Sequence, residues 1–372
     1  MKEVDNKLTI AKVIHMDTQG KILTLIKEKG FLSGTRMSAM LGISRQAVNK
    51  QLKKLVQAGV VVKQGVTRGA VYKSADSQGN IPEKFRKTYS LNKIEEDKVF
   101  GDVARFLHLQ RELSPNAAEI ARYSFTEILN NAIDHSQSEK CLVEVQCDDF
   151  TFRFRIRDYG IGLFFSIYNK FRLPDENAAV GELIKGKTTT MAEKHSGEGI
   201  FFTSKAADHI SFRSHRTKLV FDNKRQDAFI EELRTIQGTE VVFSISKRTR
   251  RKLDKIFSHF APAEFDYKFE KTQAMIKLLL ADCISRSEAK RLLTGVDKFR
   301  MVVFDFSGVK RVGQGFADEI FRVFLQNQPE ISMQIINLKP SLRPIIEHVV
   351  DNKIRKRLTI SWQGEMGTSF RI

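Results

Sequence analysis

The sequence predicts a multidomain chain that combines α/β and α+β folds, and three observations lead to this prediction. With 372 residues, the chain is long enough for two or three domains. Its hydrophobic pattern changes twice: helical spacing with a short β-hairpin comes first, then a long helix with alternating strands, then strands that alternate with helices. A hydrophobic fraction of 41% supplies enough apolar side chains for packed cores.

The changes of pattern also predict where the domains begin and end. Residues 1–75 are predicted to form the first domain and residues 95–247 the second, with a polar, aperiodic linker at 76–94 between them. A cationic hinge at 248–262 is predicted to lead into the third domain, at 263–372.

Composition narrows the class of protein and of partner. A net charge of +18 favours nucleic acid, an anionic membrane or acidic proteins as partners. The three scattered cysteines predict neither a disulfide framework nor a zinc site. Because the sequence has no signal peptide and no long uncharged apolar run, we expect a cytoplasmic protein that does not enter a membrane.

The first domain has a basic helix with a clear apolar side. Ser44 is predicted to cap a helix whose buried side carries Val48, Leu52 and Leu55. Residues 1–80 hold fourteen Lys and Arg against five Asp and Glu. The run Leu-Gly-Ile-Ser-Arg-Gln-Ala-Val, followed by a hairpin, resembles a winged helix-turn-helix.

That resemblance implies that the first domain binds duplex DNA. Arg can read guanine edges, Gln and Asn can read adenine, and basic residues of the hairpin can contact phosphates. Winged helices also serve as protein-binding or dimerisation modules, and a charged helix face is often only solvated, so these alternatives stay open. The candidate DNA-binding residues are Ser44, Arg45, Gln46, Asn49, Lys50 and Lys53 on the helix, and Lys63 and Arg68 in the hairpin.

The second domain has three polar residues at every fourth position: Glu127, Asn131 and His135. On a helix these share one face. A carboxylate and an amide stacked in this way can hold a water molecule and a hard cation, and magnesium usually enters such sites with the phosphates of a nucleotide. Asn130 and Asp134 are predicted to point off this face into solvent, and His135 to be a packing residue.

Three glycine-containing motifs follow in order. Asp158-Tyr-Gly160-Ile-Gly162 comes directly after an alternating strand, Ser-Gly197-Glu-Gly199 precedes a helix, and Gly238-Thr239 opens another strand. Together with the helix motif, this order and spacing resemble the GHKL ATP-binding fold of gyrase, the Hsp90 chaperones, histidine kinases and anti-sigma-factor kinases.

The resemblance implies ATP and magnesium as cofactors, with a role for each motif residue. Glu127 is implied as the general base for water and Asn131 as the magnesium ligand, whereas Asp158 accepts the adenine amino group. The remaining implied ATP-binding residues are Gly160, Gly162, Lys187, Gly197, Gly199 and Thr239. Glu198 departs from the family pattern, because it places a negative charge beside the phosphates.

The third domain resembles STAS-like domains through the segment Asp305-Phe-Ser-Gly-Val-Lys-Arg-Val-Gly-Gln-Gly-Phe-Ala-Asp-Glu-Ile. Strands at 301–306, 331–338 and 358–362 are predicted to alternate with helices. The antagonists of this family carry a phosphorylated serine in the loop that here reads Val-Gly-Gln-Gly-Phe, so a phosphoserine switch is not expected. The resemblance implies a protein partner, and a homodimer is left open.

Three functions fit these motifs. The preferred hypothesis is a DNA-binding transcriptional regulator whose ATP site switches domain arrangement or partner binding. The alternatives are a serine/threonine kinase of the anti-sigma type that acts on a separate protein, and an ATP-binding scaffold in phage defence. The sequence leaves open whether ATP is hydrolysed slowly, transferred to a protein or only bound.

Overall fold

The computed structural model describes residues 17–29, 31–64, 70–75, 84–92, 94–148, 150–187, 197–280, 283–350, 352–362 and 370–371. The chain divides into two compact units, Met1–Glu83 and Lys84–Ile372. Within the described residues, no helix is both long enough and apolar enough to span a membrane.

Within its described residues, the first unit contains three helices and a small antiparallel sheet with strand order β1-β3-β2. Ser44 begins α3 as predicted, because its side chain accepts a hydrogen bond from Ala47 N at 3.2 Å. Gly42, with φ of 66°, ends α2. In chain order, the elements are α1 (Thr18–Lys29), β1 (Phe31–Ser33), α2 (Gly34–Leu41), α3 (Arg45–Gln57), β2 (Val61–Gln64) and β3 (Val71–Ser74).

The second unit begins with a five-stranded antiparallel sheet of order β4-β5-β6-β8-β7. The long helix α6 packs on this sheet through buried residues such as Phe125, Ile128 and Leu129. The elements are β4 (Lys84–Ser90), α4 (Glu96–Phe106), α5 (Leu109–Glu112), α6 (Pro115–His135), β5 (Lys140–Cys147), β6 (Thr151–Asp158), α7 (Leu163–Phe171), α8 (Glu176–Lys185), α9 (Gly199–Ala206), β7 (His209–Asp222) and β8 (Asp227–Ser246).

The prediction that residues 76–94 are a linker was wrong for strand β4. This strand pairs along its whole length with β5, from Lys84 opposite Gln146 to Ser90 opposite Lys140. Only Phe85 within it is buried, since β4 lies at the edge of the sheet. A strand with a single buried apolar residue has no alternating pattern for the sequence to reveal.

The second unit continues into another five-stranded sheet, with order β13-β12-β11-β10-β9. Strands β9 to β12 pair in parallel, and β13 is antiparallel to β12. The elements are α10 (Leu253–Phe260), β9 (Lys271–Met275), α11 (Ile276–Leu279), α12 (Arg286–Leu293), β10 (Met301–Asp305), α13 (Gln314–Ala317), a π-helical turn (Asp318–Phe324), α14 (Leu325–Asn327), β11 (Ser332–Leu338), α15 (Arg343–Val349), α16 (Asn352–Arg355), β12 (Leu358–Trp362) and β13 (Phe370–Arg371).

The cationic segment predicted as a hinge is instead an ordered connection. Arg251 donates to the carbonyl oxygens of Lys205 and Ala206 at 3.4 Å each, and so satisfies the C-terminal end of α9. Helix α10 follows at once, and one continuous apolar core extends from the first sheet of this unit into the second. Charge density alone could not distinguish this arrangement from a solvated hinge.

Candidate functional site

A cavity of about 410 Å³ opens in the second unit, between α6, the sheet and the segments that carry α7, α8 and α9. The sequence motifs meet here, although together they are spread over more than 100 residues of the chain. Its wall includes seven residues that the sequence singled out for ATP or magnesium: Glu127, Asn131, Asp158, Gly162, Gly197, Gly199 and Thr239.

One end of the cavity is organised around Asp158, the last residue of β6. The Asp158 side chain is buried, and its Oδ1 accepts hydrogen bonds from Gly160 N and Thr239 N, both at 3.0 Å. Burial raises the pKa of this carboxyl group, while hydrogen bonds from the backbone of Gly160 and from the backbone and side chain of Thr239 oppose the rise. Both backbone bonds end on Oδ1, so neither of them uses the capacity of Oδ2 to accept a hydrogen bond from a ligand amino group.

Gly160 supports this end from outside the cavity wall. A Cβ atom at this position would lie 1.7 Å from the carbonyl oxygen of Ser136, at the end of α6. The neighbouring Ile161 N donates to that same oxygen at 2.9 Å. Only glycine permits so close an approach, so Gly160 joins the end of β6 to the end of α6.

One face of α6 runs along the cavity, and its Glu127 end lies away from Gly160, since Glu127 precedes Ser136 by nine residues. Glu127, Asn131 and His135 all line the cavity, as their spacing predicts. Asn131 Nδ2 is buried and has no hydrogen-bond partner among the described residues. A buried amide without a partner is costly, and a ligand that brings acceptor oxygens would satisfy it.

Two further residues of α6 also line the cavity, although the sequence did not predict them there. Asn130 was predicted to face solvent, and it is half-buried in the cavity wall beside Asn131. Tyr123 was missed, although it lies four residues before Glu127 and continues the same face. Its ring packs edge to face against Phe257 of α10, with ring centroids 5.4 Å apart.

The electrostatics around Tyr123 show that this end is acidic. Burial is the main cause that raises the pKa of the Tyr123 hydroxyl, and the carboxylates of Glu127 and Glu198 raise it further. Both glutamates line the cavity. No lysine or arginine is among the described residues of its wall, so this end lacks a cation of its own from those residues.

Helix α9 begins at the acidic end, with Glu198 as its N-cap residue. A Cβ atom on Gly199 would lie 2.0 Å from Oε2 of Glu127, so the carboxylate packs directly against the first turn of the helix. A helix N-terminus attracts negative charge, whether from a carboxylate or a phosphate. Glycine at position 199 is what allows Glu127 and the helix to come together.

The oxygen donors at this end suit magnesium in the way a nucleotide site requires. Within the described residues there is no group of three or more His, Cys, Asp or Glu side chains that could hold a metal ion by themselves. Magnesium is commonly held by only one or two protein oxygens, with phosphates and water completing its coordination. The Asn131 amide oxygen and the Glu127 carboxylate fit this pattern.

Lys187 is the ATP-binding candidate whose side chain lies elsewhere. Its ammonium donates to the carbonyl oxygen of Lys298 at 2.8 Å and lies 3.3 Å from Oε1 of Glu270, in the C-terminal sheet region. It also lies 4.9 Å from the centre of the Phe299 ring. Spacing along the chain could not reveal these partners, since they come more than 80 residues later.

In the first unit, the predicted helix α3 presents its polar side to solvent. Val48 and Leu52 are fully buried, whereas the six polar candidates on the other side are exposed. Lys63 on β2 is also exposed, and Arg68 lies outside the described residues. The exposed candidates of the helix are Ser44, Arg45, Gln46, Asn49, Lys50 and Lys53.

Three family models match the chain, in the order that the motifs predict. Residues 17–62 match a winged helix-turn-helix DNA-binding family, residues 98–222 a histidine kinase-like ATPase domain, and residues 288–343 a STAS-like domain of unknown function. The chain therefore joins a winged helix-turn-helix, a histidine-kinase-like ATPase domain and a STAS-like domain. No curated protein matches the chain in sequence.

This combination defines a class. A DNA-binding helix-turn-helix in one chain with a histidine-kinase-like ATPase domain supports a nucleotide-binding regulator. ATPase domains of this type commonly bind their nucleotide with magnesium.

Proposed function

We propose that this protein is an ATP-binding regulator that binds duplex DNA and whose nucleotide state controls DNA occupancy or partner binding. The observation that carries the proposal is the cavity itself. Motif residues from α6, β6, β8 and α9 come together around one space of about 410 Å³, although the sequence spreads them over residues 127–239.

In this proposal, Asp158 selects the base. Its buried carboxylate is already oriented by Gly160 N and Thr239 N, and its second oxygen accepts the adenine amino group. The apolar side chains of Ile156, Leu163 and Val241, which also line the cavity, exclude water from the faces of the ring.

The phosphates lie toward Glu127, Asn131 and the first turn of α9. Asn131 offers its amide oxygen to Mg²⁺, which when bound neutralises phosphate charge. Glu127 orients and deprotonates the attacking water, since a carboxylate near the phosphates can act as a general base. Turnover is slow, because no lysine or arginine is found among the described residues of the wall to stabilise the transition state.

The DNA-binding part rests on the exposed side of α3. Arg45, Gln46 and Asn49 have the chemistry to read base edges, and Lys50, Lys53 and Lys63 are suited to phosphates. The surplus of positive charge in this part of the sequence favours an anionic partner, and the exposed Arg45, Gln46 and Asn49 favour duplex DNA among such partners.

The ATP proposal is tested by calorimetry with ATP and magnesium, followed by incubation with γ-labelled ATP. We expect binding, slow release of labelled phosphate, and a Glu127→Gln variant that binds ATP but does not hydrolyse it. Label that transfers to a protein would support the alternative, a kinase. If the wild-type protein binds no nucleotide, the ATP proposal is wrong.

The DNA proposal is tested with the full chain on random duplex fragments at several salt concentrations. Affinity should fall steeply as salt rises, because each phosphate contact releases counterions. Gln46→Ala should relax sequence preference, at a cost of about 1–3 kcal/mol for a lost base contact, whereas Lys63→Ala should weaken all sequences alike. Lys27→Ala, an exposed position on α1, serves as the control. An affinity for duplex DNA that does not change with salt concentration would indicate that this domain is a protein-interaction module.

A further inference from the structure

Helix α8 lies between the nucleotide cavity and the STAS-like domain. Leu183 of this helix lines the cavity. In the same turn, the buried ammonium of Lys185 lies 3.1 Å from Glu182 and donates to the carbonyl oxygen of Thr294 at 2.6 Å. Thr272 of β9 in turn donates its hydroxyl to the carbonyl oxygen of Lys185 at 2.5 Å. The last turn of α8 is therefore bonded to the C-terminal sheet region.

Lys187, two residues later, extends the same contact. Its ammonium is held by the Lys298 carbonyl oxygen, by Glu270 and by the face of the Phe299 ring. Its backbone has φ of 54°, a left-handed conformation that lysine rarely adopts. A backbone in this conformation is held by its surroundings, and the described contacts of the Lys187 side chain are part of these surroundings.

A second connection runs through aromatic rings. Phe202 of α9 lines the cavity, and its ring centroid lies 5.1 Å from that of Phe269. Phe269 also packs against Phe201 at 4.6 Å and against Phe299 at 5.3 Å. The cavity wall and the Lys187 contact thus share one packed cluster, in which a shift on one side is transmitted to the other.

The acidic end of the cavity and the Lys187 ammonium carry opposite charges, and this points to a regulatory role for Lys187. The acidic end of the cavity carries Glu127 and Glu198 but, among the described residues of its wall, no lysine or arginine. The cation that the sequence predicts for this end, Lys187, is neutralised by Glu270 instead.

We propose that the STAS-like domain restrains the nucleotide site by holding Lys187 on Glu270, and that release of this contact frees the Lys187 ammonium to pair with the phosphates of ATP. This rests on the proposed ATP binding and adds its regulation. Because coupling between two sites is reciprocal, ATP must also weaken the contact with the STAS-like domain.

The test compares ATP affinity of the full chain with that of Glu270→Gln, Lys187→Met and the double variant. Glu264→Gln and Lys268→Met, at exposed positions of the same segment, are the matched controls. We expect Glu270→Gln to bind ATP about fivefold more tightly, at the lower end of typical coupling. Its effect on AMP should be smaller, because the freed cation acts on the outer phosphates.

The double variant tests whether Glu270 acts on ATP binding through Lys187. If Glu270 acts by holding Lys187, Glu270→Gln changes nothing in the Lys187→Met background. An equal gain in both backgrounds, or an affinity of Glu270→Gln that matches wild type and Glu264→Gln, overturns the inference and leaves ATP binding intact. Absence of ATP binding by the wild type overturns both proposals.

A measurement on the unaltered protein covers the case in which a variant does not fold. Amide hydrogen exchange at residues 268–272 and 296–300 should become faster when ATP and magnesium are added, because the Lys187 contact is lost. Exchange that stays the same or slows in both segments on saturation with ATP contradicts the proposal.

Discussion

The two ends of the cavity differ in how completely their polar groups are satisfied. At one end, the Asp158 carboxylate accepts hydrogen bonds from Gly160 N and Thr239 N, and Thr239 Oγ1 accepts another from Leu163 N. At the other end, Asn131 Nδ2 is buried without a partner among the described residues, and burial together with two glutamates raises the pKa of Tyr123.

In the proposed function, the end around Asp158 governs recognition of the base and the end around Glu127 and Asn131 governs the chemistry. The end around Asp158 is oriented before any ligand arrives, so little is lost in ordering it on binding. In the same proposal, a ligand that brings a cation and acceptor oxygens completes the end around Glu127 and Asn131. Four predictions test this contrast, beginning with the largest expected effect.

The largest loss is expected for Asp158→Asn. The asparagine oxygen can still accept from Gly160 N and Thr239 N, but its NH₂ group would face the adenine amino group as a second donor. We expect ATP affinity to fall about 100-fold, close to 3 kcal/mol, since a charged acceptor is replaced by a mismatched donor. Calorimetry measures this, with Asp102→Asn on α4 as the control. A folded Asp158→Asn variant with near wild-type ATP affinity would show that another residue recognises the base.

A loss of turnover is expected for Gly199→Ala. The added Cβ would lie 2.0 Å from Oε2 of Glu127, so the carboxylate must move away from the first turn of α9. Because a shift of about 1 Å in a reacting group can cost up to 100-fold in rate, we expect ATP turnover to fall at least about tenfold. Gly101→Ala is the control, since its Cβ would meet nothing within 4 Å. If Gly199→Ala and Gly101→Ala hydrolyse ATP at the same rate, Glu127 does not take part in the hydrolysis.

A smaller loss, confined to magnesium-dependent binding, is expected for Asn131→Ala. The substitution removes the amide oxygen and the unpaired Nδ2 together. We expect about tenfold weaker binding of ATP with magnesium, in line with one lost bond to a charged group. Binding measured in EDTA should change much less. The neighbouring Asn130→Ala, which also alters the cavity wall, is the comparison, and an identical effect in both would assign magnesium to neither residue.

The smallest effect, and the only gain among the four, is expected for Glu198→Gln. Removing one negative charge from the acidic end should strengthen ATP binding about threefold at low salt, and the gain should shrink as salt rises. The same change should lower the pKa of Tyr123 toward its ordinary value, because Glu198 is one of the groups that raise it. Glu139→Gln, at an exposed position, is the control. Weaker binding by Glu198→Gln would show that this carboxylate helps to hold the nucleotide.

Much of the fold could be predicted where the pattern is local. Ser44 begins α3, Gly42 ends α2, Asp158 is the last residue of β6 and Gly199 is the first residue of α9, as their motifs predict. Each of these depends on a cap, a turn or a strand end, which a few neighbouring residues determine. Strand β4 was not predicted, because its pairing partners on β5 lie 50 or more residues away along the chain.

The sequence by itself determined the order of the domains and the helix face that carries Glu127, Asn131 and His135, because a spacing of four residues places side chains on one side of any helix. Only the tertiary structure decided that Asn130 and Tyr123 join the cavity wall and that Lys187 bonds to the Lys298 carbonyl oxygen, 111 residues away. Such partners depend on how one domain packs on another, and no short run of residues encodes that packing.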